Sequence, residues 1–106
     1  MGQVVLVATG LPSSALDAAA AFHAEYLPQA RALLASGADI AIRFDPADHP
    51  HGAWRLAAVQ ELAREAAPLR VNGVVGDGGA GTEQVLAWFA DATAITGQIL
   101  AVEIPS

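Results

Sequence analysis

The stretch LRVNGVVGDGGAG, residues 69–81, decides the fold. Its first seven residues form a short apolar run rich in valine, which reads as a buried strand. Pro68 stops any helix arriving from the N-terminal side. Gly76, Gly78, Gly79 and Gly81 then make a turn. A helix follows over about 82–94, carrying Val85, Leu86, Trp88 and Phe89. Residues 98–104 close the unit as a further strand. A strand, a turn, a helix and a strand of this size make one parallel crossover unit.

Toward the N-terminus the same alternation repeats. Residues 51–67 predict a helix whose apolar side carries Leu56, Val59, Leu62 and Ala66, with Glu61 and Arg64 able to pair outside. Residues 45–50 are a polar loop with two prolines. In residues 39–44, Ile40, Ile42 and Phe44 alternate with Ala41 and Arg43, which predicts a strand. Before it, a helix runs from a Ser13 or Ser14 cap to about Ser36, with Asp17 in its first turn and Gly37 as its stop. Leu16, Ala20, His23, Leu27 and Leu34 form its expected stripe, and Pro28 either kinks this helix or restarts it. Residues 4–8 predict the first strand.

The resulting order, β-α-β-α-β-α-β, implies an α/β domain of two or three layers. Its expected sheet has four mostly parallel strands in the order 1-2-3-4, joined by about three crossover helices. Right-handed crossovers put most of the helices on one face. The other face then needs a cover, for which a second copy of the chain is the natural candidate. Residues 1–106 suit a single domain.

Composition excludes several function classes. Apolar residues make up 54% and charged residues 15%, which is incompatible with disorder. Cysteine is absent, so there is no thiol nucleophile and no thiolate metal site. Five arginines, no lysine and eleven acids leave a net charge of −6, which repels phosphate backbones and argues against nucleic acid as a partner. Without lysine there is no Schiff-base chemistry and no lysine phosphate clamp. No apolar run approaches the ~20 residues of a membrane span, and residues 1–11 lack a basic leader region. The expectation is a cytoplasmic protein with no membrane partner.

Residues 76–81 fit the pattern G-x-G-x-x-G through Gly76, Gly78 and Gly81, after a strand and before a helix, with Glu103 22 residues beyond Gly81. One reading is a dinucleotide site, with the pyrophosphate on free N–H groups and Glu103 on the ribose, for NAD or NADP. The other is a shortened loop, since four glycines in six residues match easily and Asp77 sets a negative charge where phosphates would lie. His49 and His51 with Asp45 and Asp48 could hold a divalent metal, but the loop is short and His-x-His needs a third ligand in the right place, so none is expected. His23 reads as packed or half-exposed, and Trp54 and Trp88 as packing or contact residues.

Three stretches resemble the C-terminal half of a short-chain dehydrogenase/reductase. HGAWRLAAVQELAREAAP, residues 51–68, resembles the active-site helix, usually Tyr-Gly-Ala-Ser-Lys at its start. LRVNGVV, residues 69–75, resembles the following Ile-Arg-Val-Asn-Ala-Val strand, and ITGQILAVE, residues 95–103, the final Ile-Thr-Gly-Gln-Val-Leu-Xaa-Val-Asp strand. The resemblance implies a truncated Rossmann-like fold, in which the first three strands of the family, with their phosphate and adenosine sites, have no counterpart.

It also implies that His51 and Arg55 stand where the family has its proton-transferring tyrosine and its lysine. The serine position falls at Phe44 or Asp45, and the helix asparagine near Glu25. A histidine beside an arginine can do acid–base work. The plainer reading of His51 is a surface histidine at a helix start, near Asp48 and His49. In the family, two long helices pack against the same pair of a second subunit. That implies a homodimer through Leu27, Trp54, Leu56, Val59 and Leu62, or pairing with a full-length family member. The expected function is thus a non-catalytic, self-associating or partner-binding module without a cofactor. The alternative is an NAD- or NADP-dependent oxidoreductase, or a dinucleotide-binding protein, using the glycine turn.

Overall fold

The computed structural model describes residues 2–102. Its elements are β1 (Gln3–Ala8), α1 (Ala15–Glu25), α2 (Leu27–Ala35), β2 (Asp39–Phe44), α3 (His51–Ala66), β3 (Val71–Val75), α4 (Ala80–Asp91) and β4 (Ile99–Ala101). The sheet has four strands in the order β1-β2-β3-β4, all parallel. Expected and observed architectures agree, and the differences are local.

Pro28 restarts the first helix rather than kinking it. Its ring cannot follow the preceding turn and its nitrogen carries no hydrogen, so it sits in the first turn of a new helix. Tyr26 ends α1 and caps α2 at once. Ser14 caps α1 by accepting the Asp17 N–H at 3.2 Å. The expected stripe on this segment is corrected. Leu16 is 83% exposed, and Ala20 and His23 are exposed, while Ala18 and Phe22 face the core. With alanines on every side of α1, periodicity does not mark a unique face, and the break at Tyr26 resets the phase for α2. Helix α4 starts two residues earlier than expected, because Gly79 is its extended N-cap.

A row of paired residues, Leu6, Ile42, Gly73 and Ile99, runs across one sheet face. This face and Ile40, Phe44 and Val71 pack against Phe22, Ala30 and Leu34 of α1 and α2 and against Val59 and Leu62 of α3. The packing over Gly73 is tight, since a Cβ would stand 3.2 Å from Val59 and 3.0 Å from Ile99 and those side chains would have to give by a few tenths of an ångström. The opposite face carries Ala41 and Val74 and a smaller cluster with Val85, Leu86 and Val102. Helix α4 therefore lies alone on that face. All three crossovers step across the sheet in the same direction, so β3-α4-β4 has the opposite hand to the other two. About 98% of such connections share one hand, so a sequence argument from that rule misplaces α4. Val5 and Val7 of β1, on the α4 side, stay about 40% exposed.

Arg70 fastens α4 to the sheet. It donates to Asp39 Oδ2 at 2.9 Å and to the carbonyls of Phe89 and Ala92 at 2.8 and 2.9 Å. Burial alone pushes the Asp39 carboxyl up, but the backbone N–H and guanidinium of Arg70 outweigh it and hold the group below its ordinary value. Asn72, fully buried, bonds the Ile95 carbonyl and the Gln98 N–H, which places the approach to β4. No described helix is long and apolar enough to cross a membrane.

Candidate functional site

Parallel strands bring the ends of β1, β2 and β3 to one edge of the sheet, the usual ligand edge of such folds. Thr9, Asp45 and Gly76 follow these strands directly. Asp45 accepts from the Thr9 hydroxyl at 2.7 Å with one oxygen and from Arg43 at 3.2 Å with the other. Arg43 also donates to the Gly76 carbonyl at 2.8 Å. The three strand ends are thus tied through one carboxylate and one guanidinium.

His51 and Arg55 lie one turn apart at the start of α3 and border a cleft of about 290 Å³ at this edge, shared with Ala8, Leu11, Pro12, Ser13 and the loop from Asp45 to Asp48. His51 is 4% exposed, which corrects the reading of it as a surface residue. The indole N–H of Trp54 donates to His51 Nδ1 at 3.2 Å. The Nδ1 lone pair is therefore taken, so the ring proton sits on Nε2 and is donated to the Ser13 carbonyl at 2.9 Å. Asp48 approaches Nε2 at 3.6 Å from an exposed position. Nε2 thus holds the segment before α1 against α3, while Nδ1 is occupied within α3 itself.

Arg55 is 6% exposed and lies over the ring of Phe44 at 4.9 Å and that of Trp54 at 5.7 Å. Burial lowers the pKa of its guanidinium, a shift partly opposed by the charge of Asp45. Among the described residues no acceptor meets its Nε, and no carboxylate pairs with it. The family's serine position, read at Phe44 or Asp45, is held by a core ring and by a carboxylate already engaged with Thr9 and Arg43. Glu25, at the asparagine position, is exposed on α1.

The glycine turn is closed on itself. Gly78 N–H donates to the Thr82 hydroxyl at 3.1 Å, and Gly79 N–H donates to Asp77 Oδ1 at 2.8 Å. Gly78 has φ +88°, and a Cβ on Gly76 would overlap the buried Thr82 side chain. A Cβ on Gly81 would stand 2.7 Å from Val102. Gly76 and Gly81 thus have a packing reason and Gly78 a backbone one, and side chains of the turn already hold two N–H groups that an anion would need. Glu103 lies outside the described residues.

On the outer side of α1, α2 and α3 runs a groove of about 660 Å³ lined by Leu27, Trp54, Ala57 and Leu62, among others. The ion pair of Arg31 with Glu65, at 2.8 Å, spans α2 and α3 there. Arg31's hydrogen bond lowers the Glu65 pKa, and that of Arg31 rises. A second pair joins Arg64 and Glu61. Of the expected contact residues, Leu27 and Trp54 are half-buried in this groove and Leu62 forms its floor. One expectation is corrected. Val59 is fully buried in the chain's own core. Leu56 is exposed on the flank of α3 that carries Gln60, away from α1 and α2.

His23 is exposed and bonds the Ala19 carbonyl of its own helix. Trp88 is half-exposed on α4. Among the described residues no group of three or more His, Cys, Asp or Glu side chains could hold a metal ion. Sequence reasoning missed Asn72, Thr82 and Arg70 as organising residues. The polar positions inside apolar strand and helix runs were the available signal.

A family model described as short chain dehydrogenase-like protein matches residues 6–102. No curated protein and no solved structure matches.

Proposed function

The chain belongs to the short chain dehydrogenase-like family, and we propose that within it this protein is a non-catalytic module that self-associates through the groove between α1, α2 and α3. The observation that carries the first half is the state of His51. It stands where the resemblance puts the proton-transferring tyrosine, yet both its nitrogens are engaged inside the fold. A general acid or base must present a free nitrogen within reach of substrate. Freeing Nε2 would break its hold on the segment before α1, and freeing Nδ1 would break the bond from Trp54.

Self-association is supported by the groove itself. Its apolar strip of Leu27, Trp54 and Ala57 is bordered by charges of both signs, Arg31, Glu61, Arg64 and Glu65. A two-fold partner presents the same strip and the same charges in reverse order, so one surface complements itself. A full-length family member offering the corresponding helices is the alternative partner.

Light scattering on the purified protein at increasing concentration tests this reading. The expected mass is twice 10.8 kDa. Ala57→Glu, at an exposed helical position in the groove, should return the mass to one copy without loss of helix content. A wild-type monomer at high concentration, or an undiminished dimer in the variant, overturns the interface. Calorimetric titration with NAD and NADP in both redox forms tests the cofactor reading, and no saturable binding is expected.

A further inference from the structure

The cleft at the carboxyl edge poses a separate question, which does not rest on self-association. The Arg55 side chain is 6% exposed, and its buried Nε finds no acceptor among the described residues. A buried charge of this kind costs several kcal/mol unless paired and hydrogen-bonded. Asp45, the acid whose charge acts on Arg55, has one oxygen on Thr9 and the other on Arg43. The aromatic faces of Phe44 and Trp54 hold the guanidinium in place but accept no hydrogen bond in its plane.

From this arrangement we propose that the cleft bordered by Arg55, His51 and Ser13 binds a small monocarboxylate with a short apolar body. The fork of an arginine matches a planar carboxylate in two parallel hydrogen bonds. Ala8, Leu11, Pro12, Pro46 and Ala47 give the cleft an apolar side suited to a hydrocarbon tail. At about 290 Å³ it is at the small end of ligand sites, which run from roughly 300 Å³ upward. The carboxylates of Asp45 and Asp48 on its rim discriminate by charge, because they repel a dianion such as phosphate more than a monoanion. No bond is made or broken in this role.

Titration with isovalerate, followed by amide NMR shifts, tests the site. Its neutral isostere isovaleramide and inorganic phosphate are the controls. Saturable shifts confined to the segments around residues 8–13, 45–48 and 51–55 are expected, with a Kd of about 1 mM or tighter. Both controls should bind roughly tenfold more weakly or not at all. Arg55→Met should abolish the isovalerate response. Ala47→Phe, at an exposed loop position, should block the cleft without touching the core, and it decides the matter where the arginine variant does not fold. The proposal is overturned by equal response to acid and amide, by phosphate binding tighter than the acid, by no saturable response, or by full binding in Ala47→Phe.

Discussion

Nη2 of Arg70 lies 2.9 Å from Asp39 Oδ2 while its Nη1 holds the carbonyls of Phe89 and Ala92 at the end of α4. One side chain thereby joins the start of β2 to the end of the lone helix on the far face. Arg70→Met should cost about 3 kcal/mol in urea unfolding, because it strands a largely buried carboxylate and frees the carboxyl end of α4. A loss below 1 kcal/mol would mean that the helix is held by its apolar contacts alone.

The same pair sets an acid limit. Asp39 has a folded pKa below its ordinary value, so the folded state releases its proton more readily than the unfolded state. Its contribution to stability is complete above the unfolded pKa, about 4, and is lost as pH falls through the lower folded value. Urea midpoints measured from pH 7 down to about 3 should decline most below pH 4. In Arg70→Met the part of that decline owed to Asp39 should shrink.

Val59 and Leu56 stand three residues apart on one helix with opposite fates. Val59→Asp should cost more than about 4 kcal/mol, since it buries an unpaired charge against Gly73 and Phe22. Leu56→Glu should change stability by less than about 0.5 kcal/mol, as an exposed helical substitution does. Thermal unfolding of the two variants separates core from surface on α3.

Arg55→Met should leave the ligand-free protein as stable as the parent or more so. Replacing a buried, unpaired charge by an apolar side chain of similar length is often neutral or stabilising, by about 1–4 kcal/mol. Guanidinium chloride unfolding measures it directly. A loss of 3 kcal/mol would make Arg55 a structural residue instead.

Most of the fold was legible. Valine and isoleucine runs and the glycine and proline stops place four strands, and the alternation of elements fixes their order. The side of α4 was not legible, because its position contradicts the usual crossover hand and no residue in β3-α4-β4 announces that. The core face of α1 was hidden by alanines, which look alike on every side. At the site, the positions of His51 and Arg55 were found from sequence, but not their burial. That burial depends on Trp54, Phe44 and the Ser13 carbonyl, which meet them only in three dimensions.

The solitary position of α4 bears on how the molecule opens. The large core under α1, α2 and α3 shares no side chain with the small cluster of Ala41, Val74 and Leu86. Hydrogen exchange should accordingly divide the chain into two units, with the amides of α4 released by a local opening well before those of β2 and α3. The Arg70 guanidinium ties those two regimes together, so α4 should lift as a cover over a sheet that stays assembled.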